Sequence, residues 1–298
     1  MRIVQGAAGK FRKKRFEWGY LLLIPGIGYI VFFLSMTMFA MVMQSFGFYN
    51  FTGESAFTVE NWRILLGRQF RDSLLFSIKC GVLSSLVSII LCYPLAMTML
   101  RTPGKKTFMS IIKTPMFMPA LVGSFLIINI IDYHGIVNVF LMWIGVVSEP
   151  LRLRNDDAGI GVIVIQVWKN LPFQLTIMYA ALEGIRSDIK DAARNLGASG
   201  FGVLRHIIIP LTIPSALVAV IFVFIRAFND FAITSTAGPL YPNSVSNYMR
   251  LQANTYYNWG ASACVGCAMV AAAILFVTAY TMLGKQLERL TSSSKEIF

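Results

Sequence analysis

Apolar residues along this chain run on in six long blocks, about 19–46, 73–100, 107–131, 158–181, 211–236 and 260–283, where a soluble helix or strand would alternate them with polar ones. About 20 apolar residues in helical form cross a hydrocarbon core of about 30 Å, and a helix satisfies its backbone groups internally. The pattern predicts an all-α membrane protein with six transmembrane helices. The first block contains Pro25 and Gly26 and meets no small-residue cleavage pattern, so the expectation is a retained span rather than a cleaved signal. Pro94, Pro115, Pro119 and Pro172 fall inside blocks and are expected to kink or break their helices.

Composition supports this reading: 298 residues are 56% hydrophobic and 13% charged, with mean hydropathy +0.65. The formal charge of +12 raises nucleic acid as a partner, but the positions of the cations exclude it. Lys10, Arg12, Lys13, Lys14 and Arg15 precede the first block, and Arg101, Lys105 and Lys106 follow the second. Arg186, Lys190, Arg194 and Arg205 separate the fourth from the fifth, and Lys285 and Arg289 follow the sixth. Every second connection is basic, which is the positive-inside bias and places both termini in the cytoplasm. Residues 1–18 and 284–298 are then cytoplasmic ends of a membrane domain spanning 19–283. The two long outer connections, 47–72 and 132–157, are expected to be solvated loops with interfacial aromatics or caps on the mouth of a pathway.

The four cysteines, Cys80, Cys92, Cys264 and Cys267, all lie in apolar blocks. The Cys264-Val-Gly-Cys267 spacing puts two small residues on one helix face, and only two histidines, His134 and His206, stand elsewhere. No metal, cofactor or catalytic constellation is expected.

The basic connection at about 183–210 has internal order. Ile185, Ile189, Ala192, Ala193 and Leu196 recur at helical spacing, with Arg186, Asp188, Lys190, Asp191 and Arg194 on other faces, which predicts a short amphipathic helix. Gly197 is placed to end it in a left-handed conformation. A second short helix is expected from about Ser199 through Phe201, Leu204 and Ile208, with Pro210 opening the next span where a missing donor is harmless. The result is a helix–turn–helix knob whose apolar stripe lies either on its own bundle or in a partner's groove.

Asp191-Ala192-Ala193, three residues, Gly197, nine residues, then Ile207-x-Ile209-Pro210 resembles the "EAA" loop of permease subunits of binding-protein-dependent ABC importers. That motif has Glu-Ala-Ala, Gly three residues later and Ile-x-Leu-Pro nine residues further on; Asp191 and Ile209 depart from it conservatively. The segment Cys92-Tyr-Pro-Leu-Ala-Met-Thr-Met-Leu100 is similar to one found in the polyamine/opine/phosphonate type of these permeases. The resemblance implies a type I (MetI-like) permease in a bacterial inner membrane, with Asp191, Ala192, Ala193, Gly197, Ile207 and Pro210 in the loop that docks on a separate cytoplasmic ABC ATPase. It implies as further partners a second permease, expected to be a different chain, and an extracytoplasmic solute-binding protein. No G-x-x-x-x-G-K-[ST] phosphate loop occurs, so this chain is not expected to be an enzyme.

Ionisable and amide side chains inside spans are costly and mark candidate pathways: Lys79, Gln166, Lys169, Asn170, Gln174, Arg226, Asn229 and Asp230. At about 1.5 Å per residue, Lys79, Lys169 and Arg226 fall roughly 9, 17 and 15 Å from the outer ends of their spans. Asp230 stands four residues after Arg226, so the two are read as an ion pair on one helix face, as a gate, or as solute contacts. Lys169, Asn170 and Gln174 beside Pro172 suggest a polar, broken helix facing a cavity, and Lys79 is near enough to the surface to snorkel. The resemblance favours a polyamine or another small polar or charged solute, whereas the excess of intramembrane cations favours an anionic or neutral one. A sugar-importer permease is the alternative within the class; outside it stand an ATP-independent secondary transporter, for which no inverted repeat is visible, and a membrane scaffold.

Overall fold

The computed structural model describes residues 25–49 and 55–293, with the side chains of Lys106 and of residues 287–293 left aside. The N-terminal segment 1–18, with Lys10 to Arg15, the first residues of the first span, and residues 294–298 lie outside the described residues. Among the described residues every regular element is helical. Six helical stretches are long and apolar enough to cross a membrane: Pro25–Ser45, Arg68–Arg101, Ala120–Trp143, Ile160–Glu183, Gly200–Phe228 and Trp259–Gln286.

The elements in chain order are α1 (Pro25–Ser45), a 3-10 turn at Glu60–Leu66, α2 (Arg68–Arg101), α3 (Lys105–Ile112), α4 (Thr114–Phe117), α5 (Ala120–Ile131), α6 (Ile136–Trp143), α7 (Ile160–Glu183), α8 (Ser187–Asn195), α9 (Gly200–Val203), α10 (Ile209–Phe228), α11 (Ala232–Ala237), α12 (Val245–Asn254) and α13 (Trp259–Ser293).

Helix α2 is the centre of the bundle because one of its faces is made of small residues. Ser73, Ser77, Gly81, Ser84, Ser85, Ser88, Cys92 and Ala96 are all buried there, and small side chains let neighbouring backbones approach closely. A Cβ on Gly81 would meet the Phe224 ring at 3.0 Å, so α10 sits where only glycine admits it. The Ser84 hydroxyl donates to the Cys80 carbonyl (2.6 Å) and that of Ser85 to Val82 (2.9 Å), keeping both polar groups satisfied in an apolar setting. Cys92, Ala96 and Met99 of α2 pack with Leu175, Met178 and Leu182 of α7. At the other end, Phe224 and Phe228 join Val245 and Tyr248 of α12 and Val265 and Met269 of α13.

The structure departs from the hydrophobic pattern in two spans. The block 107–131 is not one helix: it breaks into α3, α4 and α5, and the membrane-length stretch is Ala120–Trp143. Pro115 and Pro119 mark the break: neither supplies a backbone donor, Pro115 sits in the first turn of α4, and Met118, before Pro119, is extended with ψ 130°. Pro94 and Pro172, by contrast, sit inside continuous helices. The block 211–236 ends early, with α10 stopping at Phe228 and α11 beginning four residues later. The Asp230 carboxylate draws this boundary by accepting the backbone amides of Ile233 (2.7 Å) and Thr234 (3.3 Å), the service a capping residue gives to a helix start.

The connections at the end of the bundle opposite α8 are folded. Asn138, fully buried, donates to the carbonyls of Asp132 (3.0 Å) and Leu151 (2.9 Å) and accepts the Leu151 amide (2.9 Å). The segment before α12 is tied to the start of α2: Ser73 donates to Asn243 (2.8 Å), the Val245 amide to Ser77 (2.8 Å), and the Tyr241 hydroxyl to Asp72.

Candidate coupling loop and translocation pathway

The loop between α7 and α10 folds as the residue pattern predicts as far as Gly197; beyond it the second short helix is not separate, because it runs without a break into the fifth span as Gly200–Phe228. Helix α8 closes on Gly197, whose φ of +87° is open to glycine and costly for other residues. The Gly197 amide donates to the Arg194 carbonyl (2.9 Å) and the Ala198 amide to that of Ala193 (3.0 Å), the paired 5→2 and 6→1 bonds of a Schellman stop. The hydroxyl of Ser199 then accepts the Gly202 amide (3.1 Å), starting α9. Residues Leu204–Ile208 form a π-helical turn that leads into α10. Pro210 has no amide hydrogen to continue the ordinary ladder, and a wider turn is one way a helix absorbs that loss. Ile207 lies in this turn and Pro210 in the first turn of α10.

No residue of α8 is buried. Asp191, Ala192 and Gly197 are exposed, Ala193 is half-buried, and Asp191 meets Arg194 at 3.7 Å. The apolar stripe is largely uncovered as well: Leu196 is 90% exposed and Phe201 69%. What holds the hairpin to the bundle is its root, where Ile185 and Ile208 pack against the α2–α7 core. Beside it, Lys105 donates to Glu183 (3.0 Å), which also accepts the Tyr179 hydroxyl (2.8 Å). Contacts with Tyr179 first and Glu183 second hold the Lys105 ammonium above its ordinary pKa.

The candidate pathway residues separate into two groups. Gln166, Asn170, Gln174 and Lys169 lie buried on α7. Asn170 donates to the Gln166 carbonyl and to its side-chain oxygen, both at 2.9 Å, and Gln174 donates to the Ser85 carbonyl at 3.4 Å. The Gln174 side-chain oxygen is buried without a partner, and the Gln166 amide faces the Asp230 carboxylate. Lys169, 8% exposed, donates to the carbonyls of Pro115 and Met118. Pro119 cannot supply the amide that a helix would bring to Pro115, and an orphan carbonyl in hydrocarbon is costly; the lysine fills that vacancy. Thus α7 carries its polar residues without breaking at Pro172, and one of them, Lys169, serves the broken third span.

Arg226 and Asn229 are exposed on the bundle surface, while Asp230 is half-buried. The expected ion pair on one helix face does not form: α10 ends at Phe228, and the Asp230 carboxylate turns to α11. Arg226 instead places its guanidinium 5.5 Å from the centre of the Phe173 ring. Asn229 donates to the Ile225 carbonyl (3.0 Å). Lys79 donates to the Asp157 carbonyl (3.2 Å) and lies 5.2 Å from the Phe76 ring.

Two features escaped the residue pattern. Asp156 accepts the amides of Ile160 (2.7 Å) and Gly161 (3.3 Å) and so starts α7, although in sequence it is one acid among several. A cavity of about 300 Å³ opens between α11 and α12, lined by Phe231, Thr234, Asn243, Asn247 and Arg250 among others. The run Pro239-Leu-Tyr-Pro-Asn-Ser244 was the available signal that this connection is built rather than loose.

Comparison with known proteins follows the same line. The chain is 25% identical over 279 residues to the spermidine/putrescine transport system permease protein PotB of Escherichia coli (strain K12), covering 90% of this chain and 99% of that one. It is likewise 25% identical to the trehalose/maltose transport system permease protein MalF of Thermococcus litoralis, over 92% and 94% of the two chains. In fold it is similar to a chain of a bacterial alginate ABC transporter solved in complex with alginate pentasaccharide-bound periplasmic protein, with TM-score 0.74, 18% identity, and coverage of 92% and 96%. Residues 84–292, which run from the small-residue face of α2 through the exposed hairpin to the end of α13, match a single family, and the chain belongs to it: the inner membrane components of binding-protein-dependent transport systems.

Proposed function

We propose that this permease forms half of a solute pathway and couples it, through residues 183–210, to a separate ABC ATPase. The observation that carries the reading is the hairpin itself: an α8 with no buried residue, a Schellman stop at Gly197, and an apolar stripe with Leu196 and Phe201 left uncovered. Side chains of that kind at a helix end are a surface for another protein, and Asp191, Ala192, Ala193 and Gly197 stand where the family's docking motif has its defining residues.

The basic connections orient this end toward the cytoplasm, so an extracytoplasmic solute-binding protein delivers solute at the opposite end. A second permease completes the pathway, and closure of the ATPases moves the hairpin and switches the opening of the bundle. Such a cycle requires each ligand to prefer one state. The relatives are named for polyamines and for disaccharides; we take the solute to be a small polar or charged organic molecule. The test is to purify the tagged chain in mild detergent and identify its companions. Co-purification of an ATPase and a second permease is expected, and a chain that comes out alone under conditions that preserve other importers would falsify the coupling role.

A further inference from the structure

We infer that the cavity between α11 and α12 is an outer solute-contact site selective for the oxyanion group of a polar organic solute, with Arg250 as its ligand. The inference rests on the importer reading, since it supposes that solute enters at this end.

The argument begins with charge. Among the described residues the ion pairs involve Arg63, Arg68, Arg71, Lys105, Arg154, Arg186 and Arg194; Lys79, Lys169, Arg226 and Arg250 enter none. The nearby carboxylates Asp156 and Asp230 each accept two backbone amides at a helix start and lie outside the cavity lining. A carboxylate held by backbone amides keeps its negative charge, so what singles out Arg250 is its place on the cavity wall rather than a surplus of cations in the fold.

Arg250 stands apart from the other three. Lys169 is occupied by carbonyls, and Lys79 has its own carbonyl partner. Arg250 is exposed and sits over the Phe231 ring at 4.5 Å, a cation–π contact that holds the guanidinium at the cavity wall. Both residues line the cavity, whose other polar groups include Thr234, Asn243 and Asn247, and no carboxylate lines it. At about 300 Å³ it matches the lower range of small-molecule sites. A planar bidentate donor suits a carboxylate or similar oxyanion. An organic polycation needs carboxylates on the wall and would meet Arg250 instead. Fixed charge of one sign in a low-dielectric cleft concentrates the opposite ion by tenfold or more.

The test reads the sign of that field without knowing the solute. In the assembled transporter, Ser235→Cys, on the exposed rim of the cavity, is treated with methanethiosulfonates carrying either a sulfonate or a trimethylammonium group. Rates are normalised to a free thiol and measured in a Cys267→Ala background, because Cys267 is half-buried whereas Cys80, Cys92 and Cys264 are buried; that background without Ser235→Cys is the parent for comparison. The expected result is a preference for the sulfonate reagent of about tenfold, largely lost in Ser235→Cys/Arg250→Gln and retained in Ser235→Cys/Arg250→Lys. Equal rates, a preference for the cation, a ratio indifferent to Arg250→Gln, or no reaction with either reagent would each overturn the site. ATP-dependent uptake of labelled spermidine by the reconstituted complex, undiminished or raised in the parent relative to Arg250→Gln, overturns the solute class. Loss of ATPase stimulation in every preparation strikes the importer reading alone, because the labelling ratio does not depend on turnover.

Discussion

Gly197 and Asp230 show how differently two residues of one motif-rich chain are constrained. A Cβ on Gly197 would meet nothing within 4 Å, so the chain by itself has room for a side chain there; its demand is the left-handed φ, which costs an L-residue about 1–2 kcal/mol. Gly197→Trp is therefore expected to insert and fold, yet to lose stimulation of the ATPase, because the bulk falls on the docking face. Solute-dependent ATPase activity at the parent's level in that variant would remove Gly197 from the coupling surface. Asp230 has a local task, and replacing it by alanine is expected to destabilise the start of α11 by about 1 kcal/mol. Asp230→Asn keeps an oxygen for the Ile233 and Thr234 amides and should retain both thermal stability and transport. If Asn fails in transport while matching the parent in stability, the carboxylate charge is meeting solute. The turn at Gly197 was legible in sequence because its signal is short-range. The role of Asp230 was not, because helix spacing alone paired it with Arg226, and a cap depends on where the helix ends.

At the scale of elements, α7 and the broken third span form one unit. The number of spans could be read from apolar runs, but the division of 107–131 could not be placed, since α3, α4 and α5 remain apolar across their breaks. Proline supplied half of the signal: Pro115 and Pro119 do interrupt, whereas Pro94 and Pro172 do not. The other half lies 50 residues downstream, in a lysine that offers the donors those prolines withhold. Lys169→Met leaves the Pro115 and Met118 carbonyls without that donor and is expected to cost about 1–3 kcal/mol, read as a lower midpoint of thermal unfolding in detergent. Lys169→Arg should recover part of it. A Met variant as stable as the parent would show that water or another group satisfies those carbonyls. At the other end of α7, the Lys105–Glu183–Tyr179 cluster fixes the root of the hairpin to α3, so motion of α8 has a firm lever to act on.

For the whole molecule, what the bundle leaves uncovered is as informative as what it buries. The apolar window of α1 has no buried residue within this chain, and Tyr29, Phe32 and Leu34 are each more than half exposed; lipid or a second permease must cover it. The hairpin's apolar stripe lies at the α8 end, on a different part of the molecule, and its polar root excludes it from hydrocarbon. Two separate uncovered surfaces imply two separate partners, and they should come away independently. Replacing residues 191–197 by a flexible linker removes the docking surface without touching the cores formed by α2, α7, α10 and α13. The expected outcome is a complex that loses its ATPase while the second permease still co-purifies in full. Loss of both would mean that the permease pair is held together through the ATPases rather than through the membrane, and α1 would then face lipid; loss of neither would return the hairpin to an ordinary surface helix. The sequence already separated these surfaces by hydropathy and charge. The way the hairpin is tied to the bundle, through Ile185, Ile208 and the Lys105–Glu183 pair, required the fold, because its contacts are long-range, that of Lys105 with Glu183 joining residues 78 positions apart.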